Sequence, residues 1–260
     1  ASLVDKSLVT RLDHAGGEAR FTMVDSLRQF AAEFLEVAEE TQLVRAAHAA
    51  HFATLAERIE RQFGTDAEEQ ATAHLAVEQA NLRTALEWAM DHSELATGVR
   101  LVAALGWLWY ARGDLADGRA QIERVVVAAS AVNDLGDPQA AALIPAGILA
   151  WADGDFERAR FHLTEALRRS QERGEQRRCV LAKAFLGHVA RAKGDYDHAV
   201  ALHEQCLSEF RALGNAHGSA WALYDLGLVA RDRGAEGEAR RYFTESRTLF
   251  REMTYDWAVA

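Results

Sequence analysis

The sequence has little of what interrupts helices or cross-links small folds. Its 260 residues include two prolines, two cysteines and three methionines. Proline breaks helices because it lacks a backbone donor, so its scarcity allows long helical segments. Two cysteines are too few for a disulfide scaffold and favour a reducing, cytoplasmic location.

Long apolar runs and an excess of positive charge are also missing. No stretch approaches the roughly 20 apolar residues needed to span a bilayer, and no secretory signal opens the chain. The net charge of -10 argues against nucleic-acid binding, which relies on lysine and arginine to neutralise phosphates. We therefore expect no membrane partner and no direct nucleic-acid contact.

Signatures of catalysis are missing as well. The sequence contains no Walker A pattern, no glycine-rich phosphate loop and no Gly-x-Ser-x-Gly motif. We therefore expect no enzymatic activity, no catalytic residue, no cofactor and no metal site in this chain.

What the sequence does have is a helix-forming composition and an internal repeat. Alanine, leucine, glutamate and arginine dominate it, and all four favour helices. Glycine recurs in steps of 41, 40 and 40 residues, at Gly113, Gly154, Gly194 and Gly234. Aspartate follows the first three, and Ala235 follows the fourth. Seven residues before these turn glycines lie four more glycines, Gly106, Gly147, Gly187 and Gly227. Nine residues after the turn glycines lie bulky residues, Ile122, Leu163, His203 and Phe243.

Each copy is predicted to form a helix, a tight turn and a second helix. The turn glycine can adopt the left-handed conformation that ends a helix, and the next aspartate can cap the following helix. Small residues are expected where helices approach closely. The pattern resembles the tetratricopeptide repeat, with a period of about 40 instead of 34 residues. It departs at three residues. Trp109 stands where the other copies have alanine, His203 where they have a large apolar residue, and Ala235 where they have aspartate. The predicted fold is all-α: a right-handed superhelix of such hairpins.

Residues 1–36 have a different pattern. Two short β-prone runs, 7–13 and 19–25, flank a glycine-containing turn at His14–Glu18, which is typical of a β-hairpin. A helical segment follows, so we interpret this region as the end of a winged-helix module. Residues 37–92 are predicted to form a linking helical hairpin, with helices over 41–64 and from the capping box at Thr65–Glu68 to about His92. Residues 93–260 then hold four repeats.

Three motifs resemble a known protein family. They are LVDKSLV (3–9), FTMVDSLRQFAAEFL (21–35) and NLRTALEWA (81–89), followed by the 40-residue repeats. Together they are similar to the large bacterial signal-transduction ATPases of the NB-ARC/STAND type, which include actinobacterial antibiotic regulators and the maltose-regulon activator. Ala80 departs from this pattern, because relatives often carry an acidic residue before Asn-Leu-Arg.

The resemblance implies a division of labour across a longer protein. An ATPase core would precede the winged helix and bind ATP, the repeat array would act as sensor, and a DNA-binding domain would lie at one end. The sequence starts without methionine and stops where another helix would begin, so we expect a truncated array. The winged-helix remnant is then expected to contact the upstream ATPase.

Some polar clusters could carry chemistry but have simpler explanations. His48 and His51 share a helix face, yet no third metal ligand is evident, so we interpret them as ordinary surface or groove residues. A cluster around one turn is interpreted as capping and helix-surface residues: Asp195, Asp197, His198 and His203. Cys179 and Cys206 belong to one repeat. A bridge between them is conceivable, but buried, reduced thiols are favoured.

The concave surface is the predicted binding site. Four positions of each first helix should face it: Arg100, Ala103, Trp107, Tyr110; Ala141, Ile144, Ile148, Trp151; Leu181, Ala184, His188, Arg191; Trp221, Tyr224, Leu228, Arg231. Aromatic residues and arginine are enriched at binding hot spots. The candidate site residues are therefore Arg100, Trp107, Tyr110, Trp151, His188, Arg191, Trp221, Tyr224 and Arg231. Packing of these aromatics against neighbouring helices is the open alternative.

We therefore predict a non-enzymatic sensor or protein-interaction module of a bacterial transcriptional regulator. A protein or peptide partner, or a small-molecule inducer, would bind the concave face and control the neighbouring ATPase. A general protein–protein scaffold without an inducer is the alternative.

Overall fold

The computed structural model describes residues 3–12, 20–130 and 138–253. The chain divides into two compact units, Ala1–His48 and Ala49–Ala260. The predicted turn at His14–Glu18 lies outside the described residues. The predicted domain boundaries at residues 36 and 92 stay predictions.

The first unit contains the predicted hairpin. Strands β1 (Thr10–Leu12) and β2 (Arg20–Thr22) pair antiparallel, with Thr10 opposite Thr22. Helix α1 follows from Asp25 to Val37 and has no buried residue. Its Phe30 and Phe34 are both exposed. The winged-helix interpretation of this unit stays a prediction.

The rest of the described chain is helical, as the composition predicted. A superhelix of tetratricopeptide-like hairpins is confirmed, in which consecutive helices from α3 to α11 pack on each other. The helices are α2 (Thr41–Glu60), α3 (Glu68–Asp91), α4 (Leu95–Arg112), α5 (Leu115–Ser130), α6 (Pro138–Ala152), α7 (Phe156–Glu172), α8 (Gln176–Ala192), α9 (Tyr196–Ala212), α10 (Ala216–Asp232) and α11 (Glu236–Glu252).

The turn chemistry of the repeats is confirmed. Gly154 and Gly194 have φ angles of 82° and 78°, in the left-handed region that favours glycine. The Asp155 side chain accepts a hydrogen bond from the Arg158 N–H, and the Asp195 side chain accepts one from the His198 N–H. These residues therefore end one helix and cap the next. The candidate binding residues lie on the helices and not in these turns.

The early glycine of each copy marks a close approach of two helices. A Cβ atom added to Gly147 would lie 2.5 Å from Leu163 Cγ, and one added to Gly227 would lie 2.5 Å from Phe243 Cε1. In both cases the bulky residue of the second helix packs over the glycine of the first. Trp109, at a small-residue position, is accommodated because Gly118 faces it, with only 2.8 Å between an added Cβ and Trp109 Cβ.

The linking segment differs from its prediction at the helix boundary. Helix α2 ends at Glu60 and α3 begins at Glu68, so residues 61–67 form a loop. The capping interactions are shifted from the expected box: Ala67 N–H donates to Thr65 Oγ1, and Gly64 N–H donates to Glu68 Oε2. Phe63 and Gly64 therefore lie outside both helices, and both contact residues of the repeats.

Candidate functional site

Aromatic side chains from α4, α6 and α8 form a continuous band on the predicted concave positions. The aromatic band consists of Trp107, Tyr110, Trp151, Phe185 and His188. Trp151 stacks on His188 with ring centroids 5.0 Å apart, and its centroid lies 5.7 Å from that of Phe185. Tyr110 approaches both Trp151 and Phe185 at 6.2 and 6.3 Å. The structure therefore brings four predicted site residues together and adds Phe185.

One end of this band is covered by the protein's own loop. Phe63 stacks on Trp107 with centroids 4.9 Å apart and planes within 8° of parallel. Phe63 is 1% exposed and Trp107 is 7% exposed. For Trp107 the packing alternative is therefore correct, because its indole is part of the core.

Polar contacts from distant helices fix the loop in place. Arg177 donates to the Phe63 carbonyl at 3.2 Å and pairs with Glu60 at 2.5 Å. Asn215 Nδ2 donates to the Gly64 carbonyl at 3.1 Å. The loop thus contacts α4, α8 and α10, which are separated in sequence by up to 151 residues from Gly64.

The remaining concave surface is more open. On α10, Trp221 is half-buried and Tyr224 is 39% exposed. Their rings meet edge-to-face with centroids 5.7 Å apart. The Trp221 indole N–H donates to His217 Nε2 at 3.1 Å. A cavity of about 170 Å³ lies between the loop and helices α8 to α10. Its lining is largely apolar and includes Tyr110, Phe185, Phe210, Trp221, His203 and Asp225.

The cationic candidates are engaged by acidic neighbours. Arg100 donates to Glu57 at 2.6 and 3.0 Å, in a charged cleft of about 410 Å³ that also holds Arg177. Arg191 pairs with Asp232 at 2.5 Å, and Arg231 pairs with the same carboxylate at 3.0 Å. Each guanidinium therefore has an acidic partner within the protein, but Arg191 and Arg231 share one carboxylate and keep a net positive charge between them.

A buried polar cluster lies at the floor of the concave surface. His188 Nε2 and His203 Nδ1 lie 3.7 and 3.8 Å from the same oxygen, Asp225 Oδ2. Burial raises the pKa of Asp225 to about 8, although the charge of Arg191 opposes this. Burial also lowers the pKa of His203 to about 4, and it lowers the pKa of His188 well below its ordinary value. Burial therefore favours the neutral form of all three side chains.

His203 requires a correction. We predicted a capping or helix-surface residue, but its side chain is fully buried and its ring packs over Gly187, where an added Cβ would lie 2.6 Å from the imidazole. The prediction was wrong because the repeat places residue 203 at the bulky core position. The other members match their prediction: Asp195 caps α9, Asp197 pairs with Arg233 at 3.1 Å, and His198 is exposed.

The remaining chemical candidates are simple. Cys179 and Cys206 are buried and no disulfide joins them, which agrees with the favoured alternative. His51 is exposed and His48 is half-buried. Among the described residues, His188, His203 and Asp225 form a group of three potential metal ligands. Neither His48 nor His51 belongs to this group.

Sequence reasoning missed Phe63, Phe185 and Asp225 as parts of the site. Phe63 lies outside the repeats, whereas Phe185 and Asp225 each follow directly after the second predicted position of their copy. A signal existed for His203, because it alone places a polar side chain at the bulky position of the repeat. No comparable signal marks Phe63, whose contacts depend on how the loop folds back.

Comparison with known proteins supports the repeat assignment. Residues 179–252 match the family model described as tetratricopeptide repeat. The matched segment covers most of α8 and all of α9 to α11. No curated protein sequence matches the chain significantly.

Solved structures share the fold over most of the chain. The crystal structure of BtubC (BKLC) from P. vanneervenii is 18% identical, with a TM-score of 0.57 over 83% of this chain and 93% of that one. A variant of a Podosopora anserina chain assigned as a kinesin light chain, with nearly identical TPR-like repeats, is 17% identical. Its TM-score is 0.55 over 82% of this chain and 97% of that one. At these identities the likeness establishes the fold alone. Among the described helices, none has the length and apolarity required to cross a membrane.

Proposed function

We propose that Ala49–Ala260 is a non-enzymatic interaction scaffold that binds a segment of a protein partner on its concave surface. The partner would place one apolar side chain in the cavity lined by Tyr110 and Trp221. Trp151, His188 and Tyr224 would line the adjoining surface. Arg100, Arg191 and Arg231 would interact with polar groups at its margins.

The cavity carries this proposal. Stacked helical repeats present extended concave surfaces, and aromatic residues on such surfaces are frequent hot spots. Pockets for drug-sized ligands have volumes of about 300–1,000 Å³, and this cavity holds about 170 Å³. A single side chain of a peptide suits that volume better than a whole inducer, so the scaffold reading is favoured over an inducer pocket.

A peptide library displayed on phage provides a direct test. Peptides selected on the purified chain would be synthesised with a fluorophore, and their affinities measured by anisotropy. We expect Tyr224→Ala and Trp221→Ala each to weaken binding by about tenfold or more, because both truncate a hot-spot aromatic. Circular dichroism checks that each variant is folded.

Phe161→Ala is the matched control. Phe161 is a similarly large aromatic residue on α7 and is 68% exposed, but it lines no part of this cavity. Its removal should leave peptide affinity unchanged. Peptides that bind both groove variants as tightly as the wild type would contradict the proposal.

We also propose that this scaffold serves as the sensor region of a cytoplasmic transcriptional regulator with an upstream ATPase. The order of elements supports this, because a β-hairpin and helix α1 precede the repeats, as the family resemblance implies. Helix α1 exposes Phe30 and Phe34 at 64% and 65%, a surface suited to a contact with the ATPase.

The complete coding sequence tests the regulator proposal. A Walker A motif upstream of residue 1 and a helix-turn-helix at either end would support it. A complete coding sequence with neither would contradict the regulator proposal while leaving the scaffold proposal intact.

A further inference from the structure

Three potential metal ligands converge from three successive helices. His188 lies on α8, His203 on α9 and Asp225 on α10. Their ligand atoms all lie within 4.8 Å of one another, and Asp225 Oδ2 is close to both imidazoles.

The cluster is not a hydrogen-bonded core network. The His203 side chain is fully buried, yet neither of its ring nitrogens has a hydrogen-bond partner among the described residues. The distances of 3.7 and 3.8 Å to Asp225 exceed those of a hydrogen bond. Buried polar atoms are normally hydrogen-bonded, so this arrangement points to a group that would bridge them.

We propose that His188 Nε2, His203 Nδ1 and Asp225 Oδ2 bind a divalent ion of the zinc class. Tetrahedral ligands at about 2.0–2.1 Å from zinc are roughly 3.3–3.4 Å apart. The two separations from Asp225 Oδ2 therefore need to shorten by about 0.3–0.5 Å, and the two histidine nitrogens, which lie within 4.8 Å of each other, need to approach by up to about 1.4 Å. Two imidazoles and one carboxylate form a donor set that suits zinc.

The ion would have one charged neighbour and an open coordination position. Arg191, whose charge reaches this cluster, shares the Asp232 carboxylate with Arg231. Three protein ligands leave a fourth position open on a tetrahedral ion. His203 and Asp225 also line the 170 Å³ cavity, so water or a donor atom of a bound molecule can complete the coordination.

Titration of the chelator-treated chain with Zn²⁺ alone tests this site. Isothermal titration calorimetry should give one equivalent of bound Zn²⁺, and visible absorption of Co²⁺ should report a four-coordinate site. The ion would join α8, α9 and α10. A 100-fold excess of Zn²⁺ over its Kd should therefore raise the melting temperature by about 5 °C.

Two conservative variants and two controls make the result specific. Asp225→Asn preserves the side-chain volume, and His188→Gln alters a half-buried residue, so both should fold. Each should weaken Zn²⁺ binding at least about tenfold, since even indirect supporting partners of a metal contribute this much. The controls are His51, exposed on α2, and His162, half-buried on α7, because neither belongs to the cluster. His51→Gln and His162→Gln should bind Zn²⁺ as the wild type does.

Two outcomes would overturn the proposal. One is the absence of stoichiometric Zn²⁺ binding by the wild type, which would leave the cluster to ordered water. The other is binding that survives both Asp225→Asn and His188→Gln. These results are independent of the proposed protein partner, because no partner is present in the titration.

Discussion

At the scale of single residues, the position of a residue within the repeat determines how its side chain packs, whatever its chemistry. His203 illustrates this, because it occupies the position filled by Leu163 and Phe243 in adjacent copies. A glycine opposite each of these residues makes room for a large side chain. An imidazole at this position therefore adds polar atoms to a core that would otherwise be apolar.

The close approach at Gly147 should be sensitive to one added methyl group. Gly147→Ala would place Cβ 2.5 Å from Leu163 Cγ and 3.3 Å from the Ala159 carbonyl oxygen. We expect a loss of about 1–3 kcal/mol in the free energy of unfolding, measured by denaturant titration.

Gly237→Ala supplies the matched control, since nothing lies within 4 Å of its added Cβ. This variant should gain up to about 1 kcal/mol, because alanine favours helix more than glycine does. Equal stability of the two variants would argue against the close approach.

The two thiols should be protected from modification in the folded protein. Cys206 is fully buried, and burial raises its pKa to about 12. Burial also raises the pKa of Cys179. Because the thiolate is the reactive form, a disulfide reagent at pH 8 should label the native protein slowly and both thiols in denaturant.

Single-cysteine variants separate the two positions. Cys179→Ala reports Cys206 alone, and Cys206→Ala reports Cys179 alone. Native labelling of Cys206 as fast as in the unfolded chain would contradict its buried position.

At the scale of the helix, the turns within the copies have the same backbone conformation but different capping residues. Asp155 and Asp195 cap α7 and α9, whereas Ala235 precedes α11 without a side-chain cap. The backbone at Ala235 has φ -88° and ψ 68°, close to the -81° and 73° of Asp155. An aspartate at position 235 can therefore adopt the capping geometry.

Ala235→Asp should stabilise the protein by about 1 kcal/mol, because it supplies the missing acceptor at the start of α11. Thermal or denaturant unfolding measures the change. Ala192→Asp adds the same charge at the exposed end of α8 and should destabilise slightly, because it opposes the helix dipole. The same effect from both variants would exclude capping as the cause.

At the scale of the whole molecule, the loop at residues 61–67 changes what the concave surface can do. Phe63 covers Trp107 and removes its indole from the concave surface, whereas Tyr110, Trp151 and Trp221 stay half-buried and Tyr224 is 39% exposed. The proposed partner site is therefore smaller than the band of predicted residues. Its position depends on contacts between α4, α8 and α10 and a loop outside the repeats.

Phe63→Ala should reduce the free energy of unfolding by about 3–5 kcal/mol, the usual cost of truncating a buried phenylalanine. Unfolding can be followed by tryptophan fluorescence, since the variant also uncovers Trp107. Phe161→Ala, at a residue 68% exposed, should change stability by less than about 0.5 kcal/mol. A Phe63→Ala variant as stable as the Phe161→Ala control would show that the loop does not hold this position.

Much of the fold followed from local patterns. The helical hairpins, the left-handed turn glycines and the Asp155 cap depend on residues only a few positions apart, so the sequence alone determined them. The close approach of Gly147 and Leu163 followed from the period of the repeat, because it recurs within each hairpin. The presence of the aromatic residues Tyr110 and Trp151 on one surface followed in the same way.

Only the tertiary structure decided which of these residues are covered and which side chains of distant segments contact each other. The stacking of Phe63 on Trp107, and the meeting of His188, His203 and Asp225, join residues from helices and loops that local patterns treat separately. Such contacts depend on the superhelical stacking of several hairpins and on the path of a loop outside the repeat. A one-dimensional period fixes which side of a helix a residue occupies, but burial by a distant segment has no period.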